Sequence, residues 1–158
     1  MPTLTTGVSM IPRQQEFAHD PEKGIVGDCF RACIASILEM EMKDVPHFLA
    51  TDDWLKSSAE WLKSHDLVMM TIPAQTWNLK AWLEVAKVPG NVYHIIQDQS
   101  PRFPNELHAV VGCNGEQVYD PHPDNQLNIP MPITEKRTFT FFVKACTFGE
   151  EIRNVKEG

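Results

Sequence analysis

The segment Asp28-Cys29-Phe30-Arg31-Ala32-Cys33-Ile34-Ala35-Ser36-Ile37-Leu38 holds the most restrictive pattern in the chain. Cys33 and Ile37, like Ile34 and Leu38, recur four residues apart, and Ala32 and Ala35 are small enough for close packing. This spacing predicts an α-helix whose apolar stripe must be buried. Gly27 and Asp28 mark its start, Asp being a favoured N-cap. A buried helix needs a layer to pack on, and the later part of the chain supplies one. Residues 67–72, 92–96, 107–112, 117–119 and 138–146 are short runs rich in β-formers and read as strands. Two further amphipathic helices are predicted. One covers 53–65, with Trp54, Leu55, Ser58, Trp61 and Leu62 on its stripe, and the other 78–87, with Leu79, Trp82, Leu83 and Ala86. Helices dominate the first half and strands the second, which predicts an α+β fold with an antiparallel sheet.

A length of 158 residues predicts a single domain spanning 1–158. With 42% hydrophobic and 22% charged residues the chain has the content of a packed globule, and extended disorder is excluded. The net charge of −7 argues against a nucleic-acid partner, because phosphate binding concentrates Lys and Arg. The apolar runs fall far short of the ~18 residues that a membrane span requires. No basic start with an apolar stretch behind it precedes Gln15, so no secretory signal is expected. The four cysteines form no Cys-x-x-Cys pair, which points to reduced thiols and a cytoplasmic location. The first two dozen residues, broken by Pro12, Pro21 and Gly24, read as an extended arm. Six of the 12 prolines fall between Pro101 and Pro132, where irregular loops are expected.

Cys29 occupies the first turn of the predicted buried helix, where unpaired N–H groups and the helix dipole favour a thiolate. Cys33, one turn on, is expected in the core and inert. A thiolate nucleophile needs an imidazole, and the imidazole needs an acceptor on its other nitrogen. Leu107-His108-Ala109-Val110-Val111-Gly112 and Glu116-Gln117-Val118-Tyr119-Asp120 flank Cys113-Asn114-Gly115 and predict a hairpin. A three-residue loop with Gly115 left-handed pairs Gly112 with Glu116 and sets His108 directly opposite Asp120. A two-residue Asn114-Gly115 turn puts the two side chains on opposite faces. The three-residue loop is the expectation, since it makes chemical sense of both residues.

Residues 28–37 resemble the nucleophile helix of papain-like cysteine peptidases, in particular the bacteriocin-processing, double-glycine-leader type. His108-Ala109-Val110-Val111 and Val118-Tyr119-Asp120-Pro121 are similar to that family's histidine and acidic strands, and the order Cys, His, Asp matches. The resemblance covers about a fifth of the chain. It implies a papain-like fold, with a helical half carrying the nucleophile packed on a C-terminal antiparallel sheet. It also implies Cys29 as nucleophile, His108 as general base and acid, and Asp120 as the residue that orients His108. Two positions depart from the family. Phe30 stands where Gly usually follows the nucleophile, which predicts a narrowed or closed site. Glu22-Lys23 stand where the family's oxyanion glutamine lies. Gln15 can fill that role if the intervening loop folds back, with the Cys29 N–H as second donor; Gln14 is the alternative.

The activity so implied is that of a thiol hydrolase, a peptidase or amidase working through an acyl-enzyme on a peptide or protein substrate, with no cofactor. A deamidase or acyltransferase with the same triad, and a catalytically silent papain-fold module that holds a peptide or partner protein, are the alternatives. A metal site made of Cys29, His108, Asp120 and His122 lacks the tight ligand pairs of structural or catalytic zinc, so no metal is expected. His122 reads as cleft-lining or as a second imidazole, His47 and His65 as capping or surface residues, and His19 and His94 have no evident partner. Trp54, Trp61 and Trp82 are expected in the core and Trp77 exposed. Arg102 reads as an ordinary solvated arginine in a loop beside the cleft, with a substrate carboxylate as the alternative partner.

Overall fold

The structure, a computed structural model, describes residues 9–76, 78–124 and 129–145. Trp77, Cys146 and the chain before residue 9 therefore lie outside the described residues. The protein is an α+β structure built on one antiparallel five-stranded sheet. Its helices are α1 (Cys29–Ile37), α2 (Trp54–Ser64) and α3 (Leu79–Ala86), with short 3-10 turns between them. Its strands are β1 (Leu67–Pro73), β2 (Tyr93–Gln99), β3 (Leu107–Cys113), β4 (Glu116–Tyr119) and β5 (Thr138–Lys144), in the spatial order β1-β5-β2-β3-β4.

Successive side chains of a strand point to opposite faces, and the central strands are apolar on both. Ile95, Ala109, Val111 and Phe142 join Phe30, Cys33, Ile34 and Ala35 of α1 in one core. Their chain neighbours Ile96, Val110 and Phe141 join Phe139, Leu79 of α3, Val92 and Met131 in a second. The helices are thus not gathered in one half against the sheet: α1 lies on one face and α3 on the other. The reason is written in Ile95-Ile96 and Ala109-Val110-Val111, which are consecutive rather than alternating apolar runs, and in Phe141-Phe142 beside the buried Thr140, all of which need cover on both sides. Trp54 and Trp82 correct a second expectation, being 39% and 41% exposed. Their stripes are apolar, but α2 and α3 bury only their inner turns, at Ser58 and Leu62 and at Leu79 respectively.

The β3–β4 connection also differs from expectation. It is a two-residue turn in which Cys113 faces Glu116, with Asn114 (φ 53°) and Gly115 (φ 92°) both left-handed. That is the primed turn whose twist suits a hairpin. The parity it breaks is restored further up the ladder. Gly112 faces Gln117 but Val111 faces Tyr119, so a β-bulge adds Val118 to β4 and returns Asp120 to the side of the hairpin on which His108 projects.

Among the described residues no helix is long and apolar enough to cross a membrane.

Candidate active site

Cys29 is the first residue of α1, and the first intrahelical bond runs from Ala32 N to Asp28 O. Asp28 is the N-cap residue, yet its side chain does not cap. Fully buried, its Oδ1 accepts from Phe17 N at 2.8 Å and its Oδ2 from Arg31 Nη1 at 3.2 Å. The N–H groups of the first turn around Cys29 are left without a side-chain acceptor. Arg31 secures this corner by donating also to Glu16 Oε2, Val45 O and Met42 O.

The arm before the helix folds back over it. Arg13 N donates to Ser36 Oγ and Arg13 Nε to Met40 O, pinning the arm along α1. Gln15 N then donates to Pro121 O at 2.9 Å, tying the arm to the acidic segment. Gln15 is buried and lines the same cavity as Cys29. Its Nε2 donates to Phe17 O at 2.8 Å, an oxygen that also receives Asp28 N. One of its two amide N–H bonds therefore stays free. Gln14, the other candidate, is exposed and does not line the cavity.

His108 Nε2 donates to Asp120 Oδ1 at 2.8 Å, with both side chains almost fully buried. Cys29 lies near enough for its charge to act on the ring, whose other nitrogen is Nδ1. Burial alone pulls the His108 pKa down, but the hydrogen bond with Asp120 and the nearness of Asp120 and Cys29, with their negative charge, outweigh it and raise it to about 9. Burial likewise pushes Asp120 up, and the bonds from His108 and from His122 N, with the charges of His108 and Arg102, bring it down to about 2. Cys33 is fully buried, and its thiol is pushed well above the usual range by burial and by the nearness of Cys29 and Asp120. Its burial is what its place on the stripe predicts.

Arg102 overturns its sequence reading. Its side chain is 14% exposed, and Nη2 donates to Asp120 Oδ2 at 3.1 Å. The Ser100–Glu106 loop brings it there: Ser100 N donates to Glu106 O, and Ser100 Oγ accepts from Arg102 N and Phe103 N. No sequence signal marked this pairing, which depends on how the loop closes.

Cys29 and His108 open on a cavity of about 500 Å³. Phe30 does not close it: the ring is buried in the wall, edge-on to Trp54 at 6.4 Å between centroids. His122 lines the cavity, as expected of it, with its ring centroid 6.3 Å from that of His108. His19 lines it too and has a partner after all, Glu106 at 3.6 Å. His47 bonds Val26 O and His65 bonds Trp61 O at the end of α2. His94 lies fully buried elsewhere, with Nδ1 on Val92 O.

Among the described residues, no three His, Cys, Asp or Glu side chains are grouped to hold a metal ion, and the set Cys29, His108, Asp120 and His122 forms no such group. No family model, curated protein or solved structure matches the chain.

Proposed function

We propose that the protein is a thiol hydrolase of papain-like type, a peptidase or amidase acting on peptide or protein substrates in the reducing cytoplasm. The observation that carries this reading is one imidazole bonded to Asp120, with Cys29 close beside it, at the wall of a cavity. Nucleophilic thiol catalysis needs such a chain: the imidazolium stabilises the thiolate, and the carboxylate fixes the ring. The three described cysteines are free, which suits a reducing compartment.

In the proposed reaction Cys29 Sγ attacks the amide carbonyl carbon, and the carbonyl oxygen takes up negative charge. Gln15, which lines the same cavity, and the Cys29 N–H are the proposed donors to that oxygen. As the C–N bond breaks, His108 gives its proton to the departing nitrogen, leaving an acyl thioester. His108 then takes a proton from water, the hydroxide forms the new C–O bond, and the C–S bond breaks to release the acid and return the proton to the Cys29–His108 pair.

The test is the rate of Cys29 alkylation by iodoacetamide against pH. A thiolate held by imidazolium reacts well below the ~8.5 of a free thiol, and His108→Ala removes that advantage. Alkylation that begins only near pH 8.5 and is indifferent to His108→Ala would instead fit a silent binding module.

A further inference from the structure

Four buried side-chain polar atoms among the described residues have no hydrogen-bond partner, and three of them belong to residues lining the active cavity: Gln15 Oε1, Arg102 Nη1 and His19 Nε2, the last with only the Glu106 carboxylate 3.6 Å away. Buried polar groups are normally paired, so their concentration around one space marks it as built for a polar ligand. The donors have a definite location. Arg102 is bonded to Asp120, which is bonded to His108, so its guanidinium lies on the imidazole side of the cavity. His122 stands on the same side, its backbone N–H donating to Asp120 Oδ1 at 2.9 Å. Its Nδ1 accepts from Asp124 N at 3.1 Å, which fixes the neutral ring with the proton on Nε2. A guanidinium N–H and an imidazole N–H thus flank one region, and together they match the two oxygens of a carboxylate. Val26, Phe30, Leu49 and Trp54 add apolar lining to the same cavity.

On the hydrolase reading given above, on which this inference rests, the imidazole side is where the departing amine lies, because His108 must reach it with a proton. We propose that the leaving group of the substrate carries a carboxylate received by Arg102 and His122, as a free C-terminal residue or an acidic amine would. The enzyme then prefers to cleave next to an anionic terminus rather than within a long chain.

The test uses two alkylating probes of nearly equal shape, N-iodoacetylglycine and N-iodoacetylglycinamide. Sγ displaces iodide from either, and the amide beyond the new S–C bond extends toward the leaving-group side with or without the charge. The ratio of their second-order rate constants at pH 7 cancels the thiolate fraction, so it reads the anion site alone. The expected ratio favours the carboxylate by about tenfold, the scale of one charge-assisted hydrogen bond. It falls to within twofold of unity in Arg102→Gln and several-fold in His122→Gln, which keeps the backbone donor to Asp120. A ratio that favours the amide in the wild type, or that neither substitution moves, overturns the proposal. Failure of the hydrolase reading shows separately, as an N-iodoacetylglycinamide rate indifferent to His108→Ala.

Discussion

Gly112 on β3 lies directly beneath the imidazole of His94 on β2: the two residues are paired in register, and a Cβ at 112 would come within 2.6 Å of His94 Nε2 and 2.8 Å of the Ile96 side chain. Both neighbours are fully buried, so neither can move aside into solvent. Gly112→Ala should therefore destabilise the fold by about 2 kcal/mol through overpacking, read as a fall in the urea midpoint at unchanged slope. The demand here is for space and not for backbone freedom.

The same imidazole makes stability pH-dependent. His94 is packed edge-on to Phe139 and stacked on Phe141, and burial holds its pKa down at about 4 despite the Val92 carbonyl. The unfolded chain takes up this proton below about 6.5 while the folded chain resists it until about 4, so stability falls as pH drops through that window. The shift corresponds to about 3 kcal/mol. His108 and Asp120 act elsewhere. The raised His108 contributes stability that is complete below about 6.5 and lost as pH rises through about 9, and the lowered Asp120 contributes stability present above about 4 and lost as pH falls through about 2. Urea unfolding of wild type and His94→Phe at pH 7 and pH 5 checks the assignment: the drop between these two values should shrink in the variant.

Much of this was legible in the chain. The α1 boundary follows from Gly27-Asp28 and a four-residue recurrence, because helix periodicity is a local property. Cys29, His108 and Asp120 stood out by residue type, and the structure brings His108 onto Asp120 and lines one cavity with His108 and Cys29. What failed was detail that depends on partners distant in sequence. Val118 is an ordinary strand residue, and nothing local marks it as the bulge that returns Asp120 to His108. Trp54 and Trp82 sit on true apolar stripes, but whether a stripe finds cover is decided by the rest of the fold. The two-faced sheet was readable in Ile95-Ile96 and Ala109-Val110-Val111, where unbroken apolar runs signal burial on both sides.

Asp120→Asn isolates the orientation of His108. The amide can still accept from His108 Nε2, but it no longer supplies the charge that helps hold the imidazolium to about 9. The alkaline limb of the pH–rate profile, where that imidazolium is lost, should move down toward neutrality. Turnover of a peptide substrate at pH 7 should fall about 100-fold or more, the usual range for losing acid–base catalysis. An unmoved limb would mean that Asp120 does not set the protonation of His108.

Gln15→Ala separates the proposed amide hydrolysis from simple alkylation of Cys29. Attack on a carbonyl builds negative charge on oxygen, which a hydrogen-bond donor stabilises; displacement of iodide from iodoacetamide builds no such oxyanion. Gln15→Ala should then lower kcat/KM for amide hydrolysis by about 100-fold while leaving the alkylation rate within twofold of wild type. The substitution also removes the bond to Phe17 O, but Asp28 N still donates to that oxygen and Asp28 Oδ1 still holds Phe17 N, so the arm keeps its anchor. Equal losses in both assays would show that Gln15 only shapes the cleft, because a displaced arm would slow every reaction at the sulfur alike.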